Sequence, residues 1–245
     1  MSKGLLDPKV DFVFKNIFGS PNHPEILISF LNATLKAKKK IVNVDIKKTD
    51  IEKQYIEDKY SRLDVKATTS NDEIINIEIQ LKNENNMVKR SLYYLSKMYE
   101  EQLNGKEDYS KLVRTVCINI LNFKYLKTDN FHTGYRFKEI ESNEELTDIM
   151  EVHFIEIPKL QDSSDEKDML VAWTEFLKDP ESEKVRGLEL SIEEIRQAKD
   201  ELIRMSNDST QRELYDMRAN SLRDKMSELN AAERKGIEKG REEGR

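Results

Sequence analysis

The sequence predicts an α/β fold in which helices precede, interrupt and follow a set of β-strands. Three observations predict it. Apolar residues recur at helical spacing in the first 40 residues and again after residue 87, the spacing changes to every second residue between residues 41 and 82, and two later runs are rich in Val and Ile. A chain of 245 residues is long enough to bury a full hydrophobic core, and its size favours one main domain with an extension.

Two short helices are expected to open the chain. Apolar residues recur every three or four positions after Asp7-Pro8, and Gly19 followed by Pro21 ends that helix. The second helix is expected over residues 24–38. Each helix therefore has one inward, apolar face.

A β-hairpin is the central feature of the predicted strands. Residues 41–46 form a first strand, and residues 60–69 and 73–82 form two more, because polar and apolar residues alternate along each of them. The intervening Thr69-Ser70-Asn71-Asp72 has the residue types of a tight turn. One face of the hairpin is apolar, and the other carries Arg62, Asp64, Lys66, Thr68, Asn76, Glu78, Gln80 and Lys82.

The chain then continues as helix, strand and helix. An apolar stripe predicts a helix over residues 87–103. Runs rich in Val and Ile predict buried strands over residues 112–123 and 152–157, and a further helix is expected over residues 169–177.

The sequence beyond about residue 191 differs from the rest, because charged helix-formers dominate and apolar residues are sparse. We therefore expect a main domain at residues 1–190 and a charged helical extension at residues 191–245 that need not belong to the core. Helical patterning in the extension is compatible with a homo-oligomer, although the apolar stripe is thin for a coiled coil.

Composition excludes several kinds of site. The single cysteine, Cys117, rules out an internal disulfide and a cysteine zinc cluster, and its apolar neighbours predict buried packing. His23, His132 and His153 do not have the spacing of a metal site. The sequence has neither a Gly-Lys-Ser/Thr phosphate loop nor a dinucleotide fingerprint, so nucleotide-cofactor chemistry is not expected.

The net charge of −6 argues against a protein that coats nucleic acid, although the placement of Lys and Arg can outweigh the total. The densest basic patch, at residues 36–48, fits a solvated helix end and loop as well as it fits a phosphate contact. No secretory signal is evident, and no window approaches the about 20 apolar residues of a membrane span. We expect a cytoplasmic protein without a membrane partner.

Asp64 and Glu78 are the residues best placed to carry chemistry. Alternation puts them on the same face of neighbouring strands, where cross-strand side chains lie about 5 Å apart. Two converging carboxylates can hold Mg²⁺, which lowers the pKa of a bound water and stabilises charge on a phosphate. Gln80 would point toward the same site and orient water or phosphate, and Lys82 or Lys66 could supply positive charge.

A second interpretation of the same alternation stays open at this point. An antiparallel hairpin with one solvated face has the same pattern and the same charged residues without any site, as in a protein that serves only for interaction. Periodicity alone does not decide between the two interpretations.

Several segments together resemble a known family. They are residues 7–15 with Phe18-Gly19, Arg62-Leu63-Asp64-Val65, Ile77-Glu78-Ile79-Gln80, Arg90 with Tyr94 and Tyr99, Gln102-Leu103 with Gly105, and residues 112–123. In this order, over about residues 5–180, they closely resemble the recombination-promoting nucleases, also described as PD-(D/E)XK nuclease family transposases. Each segment alone is a weak signal, whereas the combination is specific.

The resemblance implies a restriction-endonuclease-like core, in which a mixed β-sheet is flanked by α-helices. It implies a cut in DNA that depends on Mg²⁺ or another divalent cation such as Mn²⁺, with roles in recombination, mobile elements or phage defence. By position, Asp64 matches the first metal-binding aspartate, Glu78 the acidic second ligand, and Gln80 the place that the wider superfamily gives to lysine. The subfamily resembled also has Gln there, whereas Leu63 replaces a proline of the wider motif.

We therefore predict a metal-dependent endodeoxyribonuclease that approaches double-stranded DNA mainly through its backbone. Asp64 and Glu78 are its expected metal ligands, with Gln80 and Lys82 positioning water or phosphate. Asp11 on the opening helix is a further acidic candidate, because a helix in this place of the fold can offer a carboxylate to the site; the alternative is a surface charge near the start of the helix. A nuclease-like module that binds DNA or protein without cutting is the other hypothesis.

Overall fold

The computed structural model describes residues 4–37, 39–47, 65–165 and 167–243. These residues form a mixed six-stranded sheet. The strands are β1 (Val44–Lys47), β2 (Val65–Thr69), β3 (Ile74–Gln80), β4 (Thr115–Leu121), β5 (His132–Lys138) and β6 (Glu145–Glu156). Their order across the sheet is β1-β2-β3-β4-β6-β5, with β3, β4 and β6 parallel to one another and the other neighbours antiparallel.

Helices cover both faces of the sheet. They are α1 (Asp11–Phe18), α2 (Pro24–Leu35), α3 (Met87–Glu100), α4 (Met169–Lys178), α5 (Glu183–Glu189), α6 (Glu193–Asn207) and α7 (Ser209–Glu243). α3 packs on one face, and α1, α2, α4, α5 and α6 pack on the other, where the larger core lies. The predicted α/β fold, a mixed sheet flanked by helices, is confirmed. Among the described helices, none is long and apolar enough to cross a membrane.

The predicted hairpin is confirmed in its described part. β2 pairs antiparallel with β3, with Val65 opposite Ile77. The turn closes where the backbone N–H of Thr69 donates to the carbonyl oxygen of Glu73, with an N···O distance of 2.9 Å. Residues 60–64 of the predicted strand lie outside the described residues.

The polar face of this hairpin is buried at its centre on β3 and only partly exposed elsewhere in the described residues. Asn76 and Glu78 lie beneath α3, with exposed fractions of 0% and 1%. α3 packs there because its apolar residues, among them Met87 and Leu95, join Cys117 of β4 in a second hydrophobic cluster. The interpretation of this face as simply solvated is therefore wrong, and Cys117 has the predicted packing role.

Two strands differ from the sequence prediction. β1 begins at Val44 rather than at residue 41, because the side-chain amide of Asn32 binds both backbone groups of Ile41, at 2.8 and 2.9 Å. β5 was not predicted; it is a largely exposed edge strand, and the alternation of Tyr135 and Phe137 with Arg136 and Lys138 covers only its second half, after Gly134. β6 extends the predicted strand back to Glu145 by pairing with β5.

α6 and α7 divide the predicted extension into two parts. α6 places Ile195, Ala198, Leu202 and Met205 at helical spacing and buries them in the main core. The sequence assigned these residues to the extension, whereas their packing joins them to the core. In α7, most of the described side chains from residue 223 onward are exposed, as expected of an extension. The domain boundary at residue 190 itself stays a prediction.

Candidate active site

Glu78 lies in the middle of β3 at the centre of the candidate site. Parallel β4 runs beside it, with Asn119 opposite Glu78. Apart from an ion pair with Arg90, neither carboxylate oxygen of Glu78 has a well-formed hydrogen bond among the described residues. Burial raises the pKa of Glu78 to about 7, although the charge of Arg90 and the amide of Asn76 lower it. A buried carboxylate without hydrogen bonds is costly, which marks this position as a candidate site.

Arg90 reaches Glu78 from the first turn of α3. Its Nε lies 3.2 Å from Oε2 of Glu78 in an ion pair, and its side chain is 23% exposed. Its guanidinium lies over the ring of Tyr94, 5.4 Å from the ring centroid. The arginine therefore has one side against a buried carboxylate and another toward solvent.

The side chains around Glu78 are held firmly by β4 and α3. The hydroxyl of Ser91 lies 2.8 Å from Oδ1 of Asn119, whose Nδ2 donates to the carbonyl oxygen of His153 at 3.1 Å. Burial and the charge of Glu78 raise the pKa of the Cys117 thiol to about 12, which keeps that thiol protonated. These contacts fix the positions of the side chains on this side of the site.

Asp64, the predicted first metal ligand, lies outside the described residues. The residue that follows it in sequence, Val65, is described and pairs with Ile77, the residue before Glu78. The part that Asp64 plays in the site stays a prediction.

Gln80 and Lys82 follow Glu78 toward the end of the strand. Gln80 is half-buried and lies on the same face as Glu78, as predicted. The ammonium of Lys82 donates to Oδ1 of Asn230 at 2.7 Å and to the carbonyl oxygen of Met226 at 3.2 Å, both in α7. The C-terminal helix therefore reaches the edge of the candidate site.

Asp11, the first residue of α1, also contacts α7. Its Oδ2 accepts a hydrogen bond from Nη1 of Arg218 at 2.9 Å. Arg218 and Asn230, the α7 partners of Asp11 and Lys82, are about 18 Å apart along the helix axis at 1.5 Å per residue. Their contacts with α7 therefore do not bring Asp11 and Lys82 together.

The fit of this site to a divalent cation depends on Glu78 and on a ligand from outside the described residues. Within the described ranges, no group of three or more His, Cys, Asp or Glu side chains could hold a metal ion. The two buried oxygens of Glu78 are nevertheless the hard, anionic ligands that Mg²⁺ and Mn²⁺ prefer. Glu78 would hold such an ion, with Gln80 next along the same face.

Two features of the site were not predicted as parts of it. The sequence marks Arg90 only within the family resemblance, and nothing local signals that it reaches Glu78 across the loop between β3 and α3. The contact of α7 with Lys82 joins residues far apart in sequence, so a pattern of local spacing could not show it.

Comparisons with known proteins bear on the chain as a whole. Searches of curated proteins and of solved structures gave no match. Comparison with protein families matches residues 8–232 to the PD-(D/E)XK nuclease family transposases, which confirms the resemblance found in the sequence. With most of its length matched and its mixed sheet flanked by helices, the chain belongs to the PD-(D/E)XK nuclease family transposases.

Proposed function

We propose that this protein cuts double-stranded DNA in a reaction that requires a divalent cation, Mg²⁺ or Mn²⁺. Membership of a nuclease family supports phosphodiester hydrolysis as the reaction. The observation that carries the proposal is the carboxylate of Glu78, whose buried oxygens have, apart from the ion pair with Arg90, no well-formed hydrogen bond in the described part of the chain. Native proteins seldom leave such oxygens unsatisfied unless a ligand completes their coordination.

Asp64 supplies the second carboxylate in this proposal. Val65 lies opposite Ile77 in the antiparallel pair of β2 and β3. If this register continues for one more residue, Asp64 lies opposite Glu78 on the same face, with the two side chains about 5 Å apart at their Cβ atoms. One cation can take a ligand from each carboxylate at such a separation.

The remaining residues position the reactants. A bound cation supplies a water of lowered pKa and positive charge beside the scissile phosphate. Gln80 hydrogen-bonds water or a phosphate oxygen through its amide, and Lys82 adds positive charge at the edge of the site. Because α3 buries Glu78, bulk water is kept from one side of the site, which strengthens the charge interactions there.

The family supports a role in DNA recombination or transposition. We extend the proposal to mobile elements and phage defence as settings in which a DNA cut of this kind is useful. A cytoplasmic location and a homo-oligomer formed through the C-terminal helices stay predictions.

Cleavage of supercoiled plasmid with and without Mg²⁺ tests the proposal. The wild type should nick the plasmid only with the cation, and Glu78→Gln and Asp64→Asn should each lower the rate by about 1,000-fold or more. Glu100→Gln is the matched control, because it removes an exposed carboxylate from α3 and should cut normally. Nicking that needs no metal, or that persists in both site variants, would overturn the proposal.

A module that binds DNA without cutting it is the second candidate function. One observation favours it: the ammonium of Lys82 is held by α7, while Gln80 occupies the place of the superfamily lysine. Of these two positions in the described part of the site, neither would then offer a free cation to the phosphate. Wild-type protein that binds duplex DNA but leaves the plasmid intact with both Mg²⁺ and Mn²⁺ would support this candidate.

A further inference from the structure

The ion pair between Arg90 and Glu78 has a consequence for any cation that binds there. Nε of Arg90 lies 3.2 Å from Oε2 of Glu78, so the guanidinium already neutralises the buried carboxylate. A divalent cation on the same carboxylate would bring two positive groups within a few ångströms of each other. At such distances and in a buried setting, like charges repel each other far more strongly than in water. The two cations cannot share Glu78 as equal partners.

The side chain of Arg90 is placed to exchange its partner. It is 23% exposed, unlike the fully buried Glu78, so its guanidinium can move outward without crossing the core. Stacking over Tyr94 limits the directions that remain to it. A planar guanidinium with several N–H donors binds phosphate oxygens in a bidentate manner.

We propose that Arg90 is a phosphate-binding residue that exchanges partners, pairing with Glu78 in the metal-free protein and with a phosphate of the DNA backbone when a divalent cation occupies Glu78. This inference rests on the proposed function. It assigns to α3 a direct contact with the substrate. It also makes metal binding and DNA binding mutually supportive, since each relieves the charge that the other leaves unpaired.

The salt dependence of DNA affinity measures this contact. Each neutralised phosphate contributes about −0.9 to the slope of log K against log salt concentration. The full chain is titrated into a fluorescent duplex at several KCl concentrations, once in EDTA and once in Ca²⁺, with a gel to check that the duplex stays intact. In Ca²⁺, Arg90→Gln should flatten the slope by about 0.9 relative to the wild type, whereas in EDTA the two slopes should agree.

Lys89→Gln is the matched control, because Lys89 is an exposed cation next to Arg90 on the same helix. Any effect of this control should be the same in EDTA and in Ca²⁺, since Lys89 is an exposed residue that does not pair with Glu78. Equal slopes for Arg90→Gln and the wild type in both conditions would overturn the inference. An equal loss of slope in both conditions would also overturn it, because Arg90 would then bind DNA regardless of Glu78.

Arg90→Gln leaves a buried carboxylate without its countercharge, which can prevent folding. A second pair of variants therefore tests the exchange without a buried, unpaired carboxylate. Glu78→Gln alone removes the ion pair between Glu78 and Arg90 but keeps the guanidinium, whereas Glu78→Gln with Arg90→Gln removes both charges of this pair. In EDTA the single variant should have the steeper slope, by about 0.9, and equal slopes would count against the exchange.

Plasmid nicking in Mg²⁺ tests the proposed cutting activity separately from the exchange of partners by Arg90. A wild type that nicks the plasmid, with slopes unaffected by Arg90, would overturn this inference alone. A wild type that does not nick it would overturn the proposed cutting activity, and the exchange of partners would then stand or fall with the slopes in Ca²⁺. Arg90→Lys, which keeps the charge but loses the bidentate geometry, should retain the slope in Ca²⁺ and cut more slowly.

Discussion

Two buried glutamates on opposite faces of the same sheet have opposite environments. Glu151 is 3% exposed, and Arg114, Arg136 and His153 all bind its carboxylate. Burial opposes ionisation there, but these hydrogen bonds outweigh it and lower the pKa of Glu151 to about 2. Glu78 is 1% exposed, its oxygens have no hydrogen-bond partner among the described residues, and burial raises its pKa to about 7.

The difference separates a structural carboxylate from a candidate functional one. A buried charge with all of its partners in place stabilises one arrangement of the chain. A buried charge without hydrogen bonds costs stability, and such exceptions are concentrated at sites that a ligand completes. The comparison predicts opposite results when the same substitution is made at the two positions.

The largest effect is expected at Glu151. Glu151→Gln removes the charge that Arg114 and Arg136 share, so two guanidinium groups are left without a full partner. The free energy of unfolding should fall by about 3 kcal/mol, measured by urea denaturation at pH 7.5, while plasmid nicking is retained. Glu145→Gln is the control, because Glu145 pairs with Arg136 at the exposed end of the cluster and should cost less than about 0.5 kcal/mol. A typical substitution costs about 1 kcal/mol. A loss at Glu151 below that value would therefore contradict its structural role.

A pH-dependent effect is expected at His132, whose Nε2 lies 2.9 Å from Nδ1 of His153. Burial and His153 lower the pKa of His132 to about 4, with Lys36 acting in the same direction and Asp168 and Glu151 against it. Because this pKa is depressed, the unfolded chain takes up the proton first, and stability is lost as the pH falls from about 6.5 toward 4. Between pH 7 and pH 5 this group alone should cost about 2 kcal/mol.

The difference between the wild type and His132→Gln isolates this effect, because the other titrating groups are common to both. The variant should lose less stability than the wild type between pH 7 and pH 5 in parallel urea titrations. His23→Gln is the control, since His23 lies in a half-exposed pair with Glu25 outside this cluster. Parallel curves for the wild type and His132→Gln would contradict the depressed pKa.

A smaller effect of opposite sign is expected at Glu78. Glu78→Gln removes a charge whose burial outweighs its pairing with Arg90, and Arg90 is partly exposed, so the free energy of unfolding should rise by about 1 kcal/mol at pH 8 while plasmid nicking is lost. Urea denaturation measures the stability, and the plasmid assay measures the nicking; both are carried out at the same pH. A loss of stability as large as that expected for Glu151→Gln would remove the contrast between the two glutamates and would make Glu78 a structural residue.

The sequence predicted those features of the fold that depend on local periodicity. Alternation placed Asn76 and Glu78 on one face of β3, because the side-chain period of a strand is set by its backbone. It could not show that α3 covers this face, since that depends on contacts between elements distant in sequence. β5 was missed because its alternation, Tyr135 and Phe137 with Arg136 and Lys138, is only four residues long and follows Gly134, and because an exposed edge strand buries little.

The sequence predicted the carboxylates of the candidate site but not the basic residue that pairs with Glu78, which is Arg90. Residue type and register are enough to select Glu78, and the family match supports the selection. The pairing with Arg90 depends on how α3 lies on the sheet, which no short motif encodes. Asp64 lies outside the described residues and stays a prediction, so the paired carboxylates themselves await the nicking assay.

The smallest effect is expected for the ion pair of Asp11 with Arg218, which joins α1 to α7. The two side chains are 42% and 39% exposed, so water screens their charges and the coupling energy should be below about 0.5 kcal/mol. A double-mutant cycle with Asp11→Asn and Arg218→Gln measures this coupling separately from the contact of Arg218 with Phe12. A coupling above about 1 kcal/mol would exceed the usual range for exposed pairs. Asp11 would then behave like a buried carboxylate, and α7 would be bound to the nuclease-like core more tightly than the exposure of this ion pair suggests.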